Sequence, residues 1–144
     1  TGSSLSGTLP SELGTLTSLI RMELHINQLT GTLPSELGAL TRLTGMYLWN
    51  NQLTGTIPSE LGMLASLTWM ELLRNRLTST VPSELGALTR LSDLLLSENQ
   101  LTGTLPTELG ALARLTHMWV CSNPSLCGDI PAGVTPTAYS GYCP

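Results

Sequence analysis

The sequence predicts an α/β solenoid, a chain wound in equal coils with extended segments stacked on one side and a short helical turn on the other. Three observations predict it. The motif L-T-G-T-[LI]-P-S-E-L-G, with small variations, returns at Leu5, Leu29, Leu53, Leu77 and Leu101, and the 144 residues equal six such periods. Each period holds a stretch in which apolar residues alternate with variable ones, the pattern of a half-buried strand. Pro and Gly punctuate the period at fixed offsets, which breaks each coil into short elements.

Five full units begin at Leu16, Leu40, Leu64, Leu88 and Leu112, preceded by half a unit at residues 5–15. In the first unit the apolar positions are Leu16, Leu19, Met22, Leu24, Leu29, Leu33 and Leu37. The alternation around Met22 and Leu24 marks the first strand, and stacking the units lines these strands into a parallel sheet. Asn27, Asn51, Asn75, Asn99 and Asn123 follow it, where the chain turns with its backbone still buried. An Asn amide both donates and accepts, so this column is read as structural, and losing one member is expected to cost about 1–3 kcal/mol. A second short extended segment is expected before Pro10, Pro34, Pro58, Pro82 and Pro106, since Pro cannot donate to a ladder. A helical turn should follow at [ST]-E-L-G, capped by the hydroxyl and stopped by Gly. Glu12, Glu36, Glu60, Glu84 and Glu108 then form a solvated acidic row offset by Arg42, Arg90 and Arg114.

The consensus L-x-x-L-x-L-x-x-N-x-L-x-G-x-I-P-x-x-L-G-x resembles the plant-type, 24-residue leucine-rich repeat of plant receptor-kinase ectodomains, polygalacturonase-inhibiting proteins and related algal and protist surface proteins. The resemblance runs over residues 5–131. It implies a right-handed leucine-rich-repeat coil with a concave parallel β-sheet, a second short β-sheet at the L-T-G-T-[LI]-P segments, and helical turns on the convex side. The sequence shows no N-terminal cysteine-bearing cap and opens in mid-repeat, so a truncated fragment or another kind of cap is expected. The whole reads as a single domain, with residues 1–15 a partial repeat, 16–120 the main repeats, and 121–144 the last repeat and cap.

All three cysteines, Cys121, Cys127 and Cys143, lie in this final stretch, where Asn123-Pro124-Ser125-Leu126-Cys127-Gly128 resembles a terminal plant-type repeat. A last coil needs its leucines covered, and a disulfide could hold the covering segment down. Cys127 with Cys143 is the expected pairing; Cys121 with Cys127 is the competitor. A disulfide would place the chain in an oxidising compartment, extracellular or at the cell surface.

Composition excludes several functions. Six Arg and no Lys oppose ten acidic residues, for a net charge of −4, which leaves no basic patch for nucleic acid. No apolar run approaches the ~18–20 residues of a membrane span, so membrane insertion of this chain is not expected. No zinc spacing, phosphate loop or carboxylate pair occurs. His25 and His117 sit four repeats apart, about 19 Å, too far to share a site. The expectation is a protein that is not an enzyme, with no metal and no cofactor.

Function is sought in the columns that vary. Outward positions of the first strand read Arg21, Gly45, Trp69, Asp93, His117, then Glu23, Tyr47, Glu71, Leu95, Trp119, then His25, Trp49, Leu73, Ser97, Cys121. All three Trp and both His fall here, with strands ~4.8 Å apart, so Tyr47, Trp49 and Trp69 are expected to form one aromatic cluster. Exposed aromatics on a polar concave face are usual binding anchors. The leading expectation is a recognition surface for a protein, peptide or glycan, built from Arg21, Glu23, His25, Tyr47, Trp49, Trp69, Glu71, Leu73, Leu95, His117 and Trp119.

The second segment offers an alternative. Thr30, Thr54, Thr78 and Thr102 form one file, and Thr8, Thr32, Thr56, Thr80 and Thr104 another. Strand alternation would put both Thr of each T-x-T on one side, about 6.6–7 Å apart, with ~4.8 Å between coils. Such a grid resembles the arrays of ice-binding solenoids, so ice is the alternative ligand.

Overall fold

In this computed structural model, residues 4–127 and 129–134 are described. The concave layer consists of β2 (Arg21–Glu23), β4 (Gly45–Tyr47), β6 (Trp69–Glu71), β8 (Asp93–Leu95) and β10 (His117–Trp119), hydrogen-bonded in that order and all parallel. Arg21 faces Gly45, Gly45 faces Trp69, and so on by one full repeat each time, so each sequence column is a real row across the sheet. Between these rows Met22, Met46, Met70, Leu94 and Met118 point inward and are buried. They meet one leucine per coil from every other element, for example Leu53, Leu61, Leu64 and Leu67, all fully buried.

The second layer holds β1 (Ser6–Thr8), β3 (Gln28–Thr30), β5 (Thr54–Gly55), β7 (Arg76–Ser79), β9 (Gln100–Thr104) and β11 (Ser125–Cys127). β1 pairs with β3, an isolated bridge joins Thr32 to Thr54, and β5, β7, β9 and β11 continue in order. The register here is not the repeat. Thr8 faces Thr30 and not Thr32, Thr32 faces Thr54, Thr54 faces Arg76 and Thr78 faces Gln100, so these pairings fall two positions short of the period, while β9 and β11, with Thr102 facing Ser125, fall one short.

The Asn column stitches the coils together. Asn75 Nδ2 donates to the carbonyls of Leu48 and Leu72, both at 3.0 Å, while its Oδ1 accepts from the Leu53 amide at 3.0 Å. Asn51, Asn99 and Asn123 repeat this set, and Asn27 accepts from the Leu5 amide at 2.8 Å. The residue before each Asn is left-handed: Ile26, Asn50, Arg74, Glu98 and Ser122 have φ between 53° and 56°.

The convex turns are 3₁₀ helices at Ser11–Thr15, Ser35–Ala39, Ser59–Met63, Ser83–Ala87 and Thr107–Ala111, and they differ from expectation in two ways. The N-cap is the proline, and the hydroxyl makes no cap bond; Ser35 Oγ donates instead to its neighbour Glu36 at 3.4 Å. The glycine lies inside the turn and stops nothing. A Cβ on Gly38 would collide with the Glu60 carbonyl of the next coil, so glycine sits there because two turns come into contact. Among the described residues the ion pairs do not include the convex Glu row or Arg42, Arg90 and Arg114.

Cys121 and Cys127 are not joined to each other, which removes the competing pairing. Cys143, the expected partner of Cys127, lies outside the described residues, as does the cap beyond residue 134. No helix among the described residues is long and apolar enough to cross a membrane.

Candidate functional site on the concave face

The concave strands present three outward rows, and their side chains divide into two groups. On the first coils Arg21 Nη1 lies 3.6 Å from Glu23 Oε1, and its Cζ stands 6.0 Å from the Tyr47 ring centroid. Tyr47 folds back along its own strand over Gly45, where any Cβ would overlap the ring. Burial raises the Tyr47 pKa, and the Arg21 charge works against that rise. His25 stacks flat on Trp49, with centroids 4.8 Å apart and an interplanar angle of 10°. The expected cluster of Tyr47, Trp49 and Trp69 therefore does not form: Tyr47 turns to Arg21, and Trp49 takes His25.

The second group surrounds a groove of about 500 Å³. Trp49 bounds it on one side, and Trp119 with Cys121 on the other; Leu73, Leu95, Glu71 and Ser97 lie between. Arg74 and Glu98 close the rim through a bifurcated hydrogen bond, in which Arg74 Nε donates to Glu98 Oε1 at 3.0 Å and to Oε2 at 3.1 Å. Ser97 Oγ and Cys121 Sγ are 3.1 Å apart. Beside the groove Asp93 holds His117 Nδ1 at 2.8 Å and is also bonded by Ser92 Oγ. Among the described residues two buried ring nitrogens have no hydrogen-bond partner, His25 Nδ1 and Trp119 Nε1. Glu71 is half-buried, and desolvation raises its pKa; the neighbouring Asp93 charge adds to the rise, and His25 opposes it.

Of the eleven expected contact residues, the groove brings together Trp49, Glu71, Leu73, Leu95 and Trp119. Arg21, Glu23, Tyr47, Trp69 and His117 stand outside it, and His25 acts by backing Trp49. Sequence reasoning missed Arg74 and Glu98, which occupy the left-handed position before the Asn. Their signal was available: opposite charges one full repeat apart are neighbours on adjacent coils. Among the described residues no group of His, Cys, Asp and Glu could hold a metal ion.

The threonine layer is less regular than a grid. Its stagger sets the second Thr of one coil against the first Thr of the next, as in Thr8 with Thr30 and Thr32 with Thr54. Gly7, Gly31, Gly55 and Gly103 have φ between 75° and 96°, which interrupts the alternation that would align each T-x-T. The hydroxyls of Thr30, Thr54 and Thr78 donate to the carbonyls of Gly7, Gly31 and Gly55 at 3.2–3.3 Å. The methyls of Thr8, Thr32 and Thr80 sit against Gly31, Gly55 and Gly103, where a Cβ would come within 2.8–3.0 Å. Thr32, Thr56, Thr80 and Thr104 also line a shallow groove of about 1270 Å³ between this layer and the 3₁₀ turns.

The leucine-rich-repeat family model matches residues 42–64 and 90–112. No curated protein matches the chain. Among solved structures, the plant peptide hormone receptor RGFR1 in complex with RGF2 is 39% identical with a TM-score of 0.82, over 83% of this chain and 19% of that one. The ectodomain of the Arabidopsis thaliana membrane receptor kinase GASSHO1/SCHENGEN3, in complex with CASPARIAN STRIP INTEGRITY FACTOR 2, is 39% identical with a TM-score of 0.84, over 89% of this chain and 15% of that one. A TDR receptor is 37% identical with a TM-score of 0.87, over 92% of this chain and 23% of that one. The chain thus spans less than a quarter of the length of these receptors. With the repeating consensus, the stacked parallel sheet and the Asn ladder, these likenesses show that the chain belongs to the leucine-rich-repeat family in its plant-type form.

Proposed function

We propose that the chain is a non-catalytic recognition module, working outside the cell or at its surface, that binds a peptide or protein segment along its concave face. The observation that carries this reading is the groove between Trp49 and Trp119, where half-buried indoles flank a floor of leucines on an otherwise polar sheet. Large aromatic surfaces left partly in water gain most from a partner that covers them. The similar structures support a peptide partner, since the Arabidopsis receptor kinase HAESA is seen with the peptide hormone IDA and RGFR1 with RGF2. A glycan would stack on the same indoles and is the competing ligand class. Ice binding by the threonine layer has weaker support, because the staggered register and inward-donating hydroxyls replace the flush files that a lattice match needs.

The test is selection of peptides from a random display library on the immobilised protein. Binders should be recovered, and a Trp49→Ala, Trp119→Ala double variant with an unchanged circular dichroism spectrum should lose them. Equal binding by wild type and double variant would sink the concave-face assignment, and recovery of glycans alone on an array would transfer the site to sugars.

A further inference from the structure

We propose that the groove is a receptor for one basic side chain, an arginine carried by an extended peptide, seated between the indoles of Trp49 and Trp119 with its guanidinium on the Glu71 carboxylate. This deepens the recognition reading above and rests on it.

The charges of the concave face are paired at every acid but one. Glu23 has Arg21 at 3.6 Å, Asp93 has His117 at 2.8 Å, and Glu98 has Arg74 at 3.0 Å. Among the described residues Glu71 alone of these concave-face acids has no ion pair and no hydrogen bond to its side chain, although it is half-buried and borders the groove. Burial and the Asp93 charge both resist its ionisation, and the opposing influence of His25 does not cancel them, so a positive group brought to it would relieve a cost already present in the free protein.

The walls favour the same occupant. Indole faces attract cations, and the His25 ring already covers part of Trp49 while that indole still bounds the groove. Leu73 and Leu95 offer apolar floor for the methylene stem of a long basic residue. A guanidinium fits better than an ammonium because it is planar, stacks on aromatic faces and presents paired donors to a carboxylate. The volume of about 500 Å³ holds one or two side chains of an extended chain, not a packed helix. An acidic segment would meet unpaired Glu71, with Asp93 close enough to shift that residue's titration.

The experiment titrates the whole chain with acetyl-Ala-Arg-Ala-amide and with the citrulline and glutamate equivalents, following the indole N–H resonances of Trp49 and Trp119. Arginine should give saturable shifts at both indoles, with citrulline, the neutral isostere, at least tenfold weaker and glutamate not binding. Glu71→Gln should reduce the preference for arginine over citrulline at least fivefold. Equal binding of arginine and citrulline by wild type, or no shift with the arginine peptide, would overturn the inference. So would an arginine preference that survives Glu71→Gln. The library selection separates the two failures: Trp49-dependent binders lacking basic residues remove this inference and keep the recognition module, whereas no binders remove both.

Discussion

Ser79 stands where the other coils carry Gly7, Gly31, Gly55 and Gly103, and it keeps their left-handed backbone, with φ of 69°. A Cβ in that conformation clashes with its own chain at a cost of about 1–2 kcal/mol. The glycine equivalents add a second cost, since a Cβ on Gly55 would press on the Thr32 methyl of the preceding coil. Ser79→Gly is therefore expected to stabilise the protein by about 1 kcal/mol after glycine's greater unfolded entropy is subtracted, a shift of a few degrees in thermal melting. An unchanged or lower melting temperature would contradict the strain argument. Glu71 makes the opposite kind of sacrifice. Its carboxyl has a folded pKa raised by burial, so the folded state holds its proton more tightly than the unfolded chain. Stability from this group is present below the ordinary glutamate range and lost as pH rises through the folded pKa. Glu71→Gln should thus melt no lower than wild type at pH 7, and the difference between the two should shrink at acid pH. A variant that melts higher yet binds the arginine peptide more weakly would show a carboxylate kept for its ligand rather than for the fold.

At the scale of elements, the contacts between coils are set by atoms of backbone, which leaves little room for substitution. The 3₁₀ turns stack so closely that a Cβ on Gly62 would run into the Glu84 carbonyl. Gly62→Ala should force the two coils apart and cost about 1–3 kcal/mol, as overpacking does elsewhere. The Asn ladder behaves differently. Asn75→Ala leaves the Leu53 amide and the carbonyls of Leu48 and Leu72 without that partner, all within buried backbone. Its expected cost is about 1–3 kcal/mol in urea unfolding, and Asn27→Ala should cost less because Asn27 is half-buried and the amide it serves belongs to exposed Leu5. Equal losses at both positions would show that burial does not govern the ladder.

At the scale of the whole molecule, what could be read in the sequence was whatever obeys the repeat period. The concave rows do, because β2, β4, β6, β8 and β10 pair with zero slip, so Glu71 and Trp119 could be placed on one face from spacing alone. The second layer slips against that period, and nothing in L-T-G-T-[LI]-P marks the slip. The left-handed position was also hidden, since Ile26, Arg74 and Glu98 give no compositional sign of it. Tyr47 was misplaced because a row fixes where a side chain starts, while the space left by Gly45 decides where the ring goes. The solenoid itself makes a final prediction. Each coil touches only its neighbours, so burial should grade from the middle toward both ends. It does: Leu40 and Leu64 are fully buried, whereas the equivalent Leu16 is 48% exposed, and at the other end Val120 is 8% exposed where Leu72 is 0%. Amide hydrogen exchange should follow the same gradient, slowest at Met46, Met70 and Leu94 and faster by an order of magnitude or more at Met22 and Met118, because end coils can open without the centre. Uniform protection across the five concave strands would mean that the array unfolds as one cooperative unit, and nearest-neighbour stacking would then not be what holds it together.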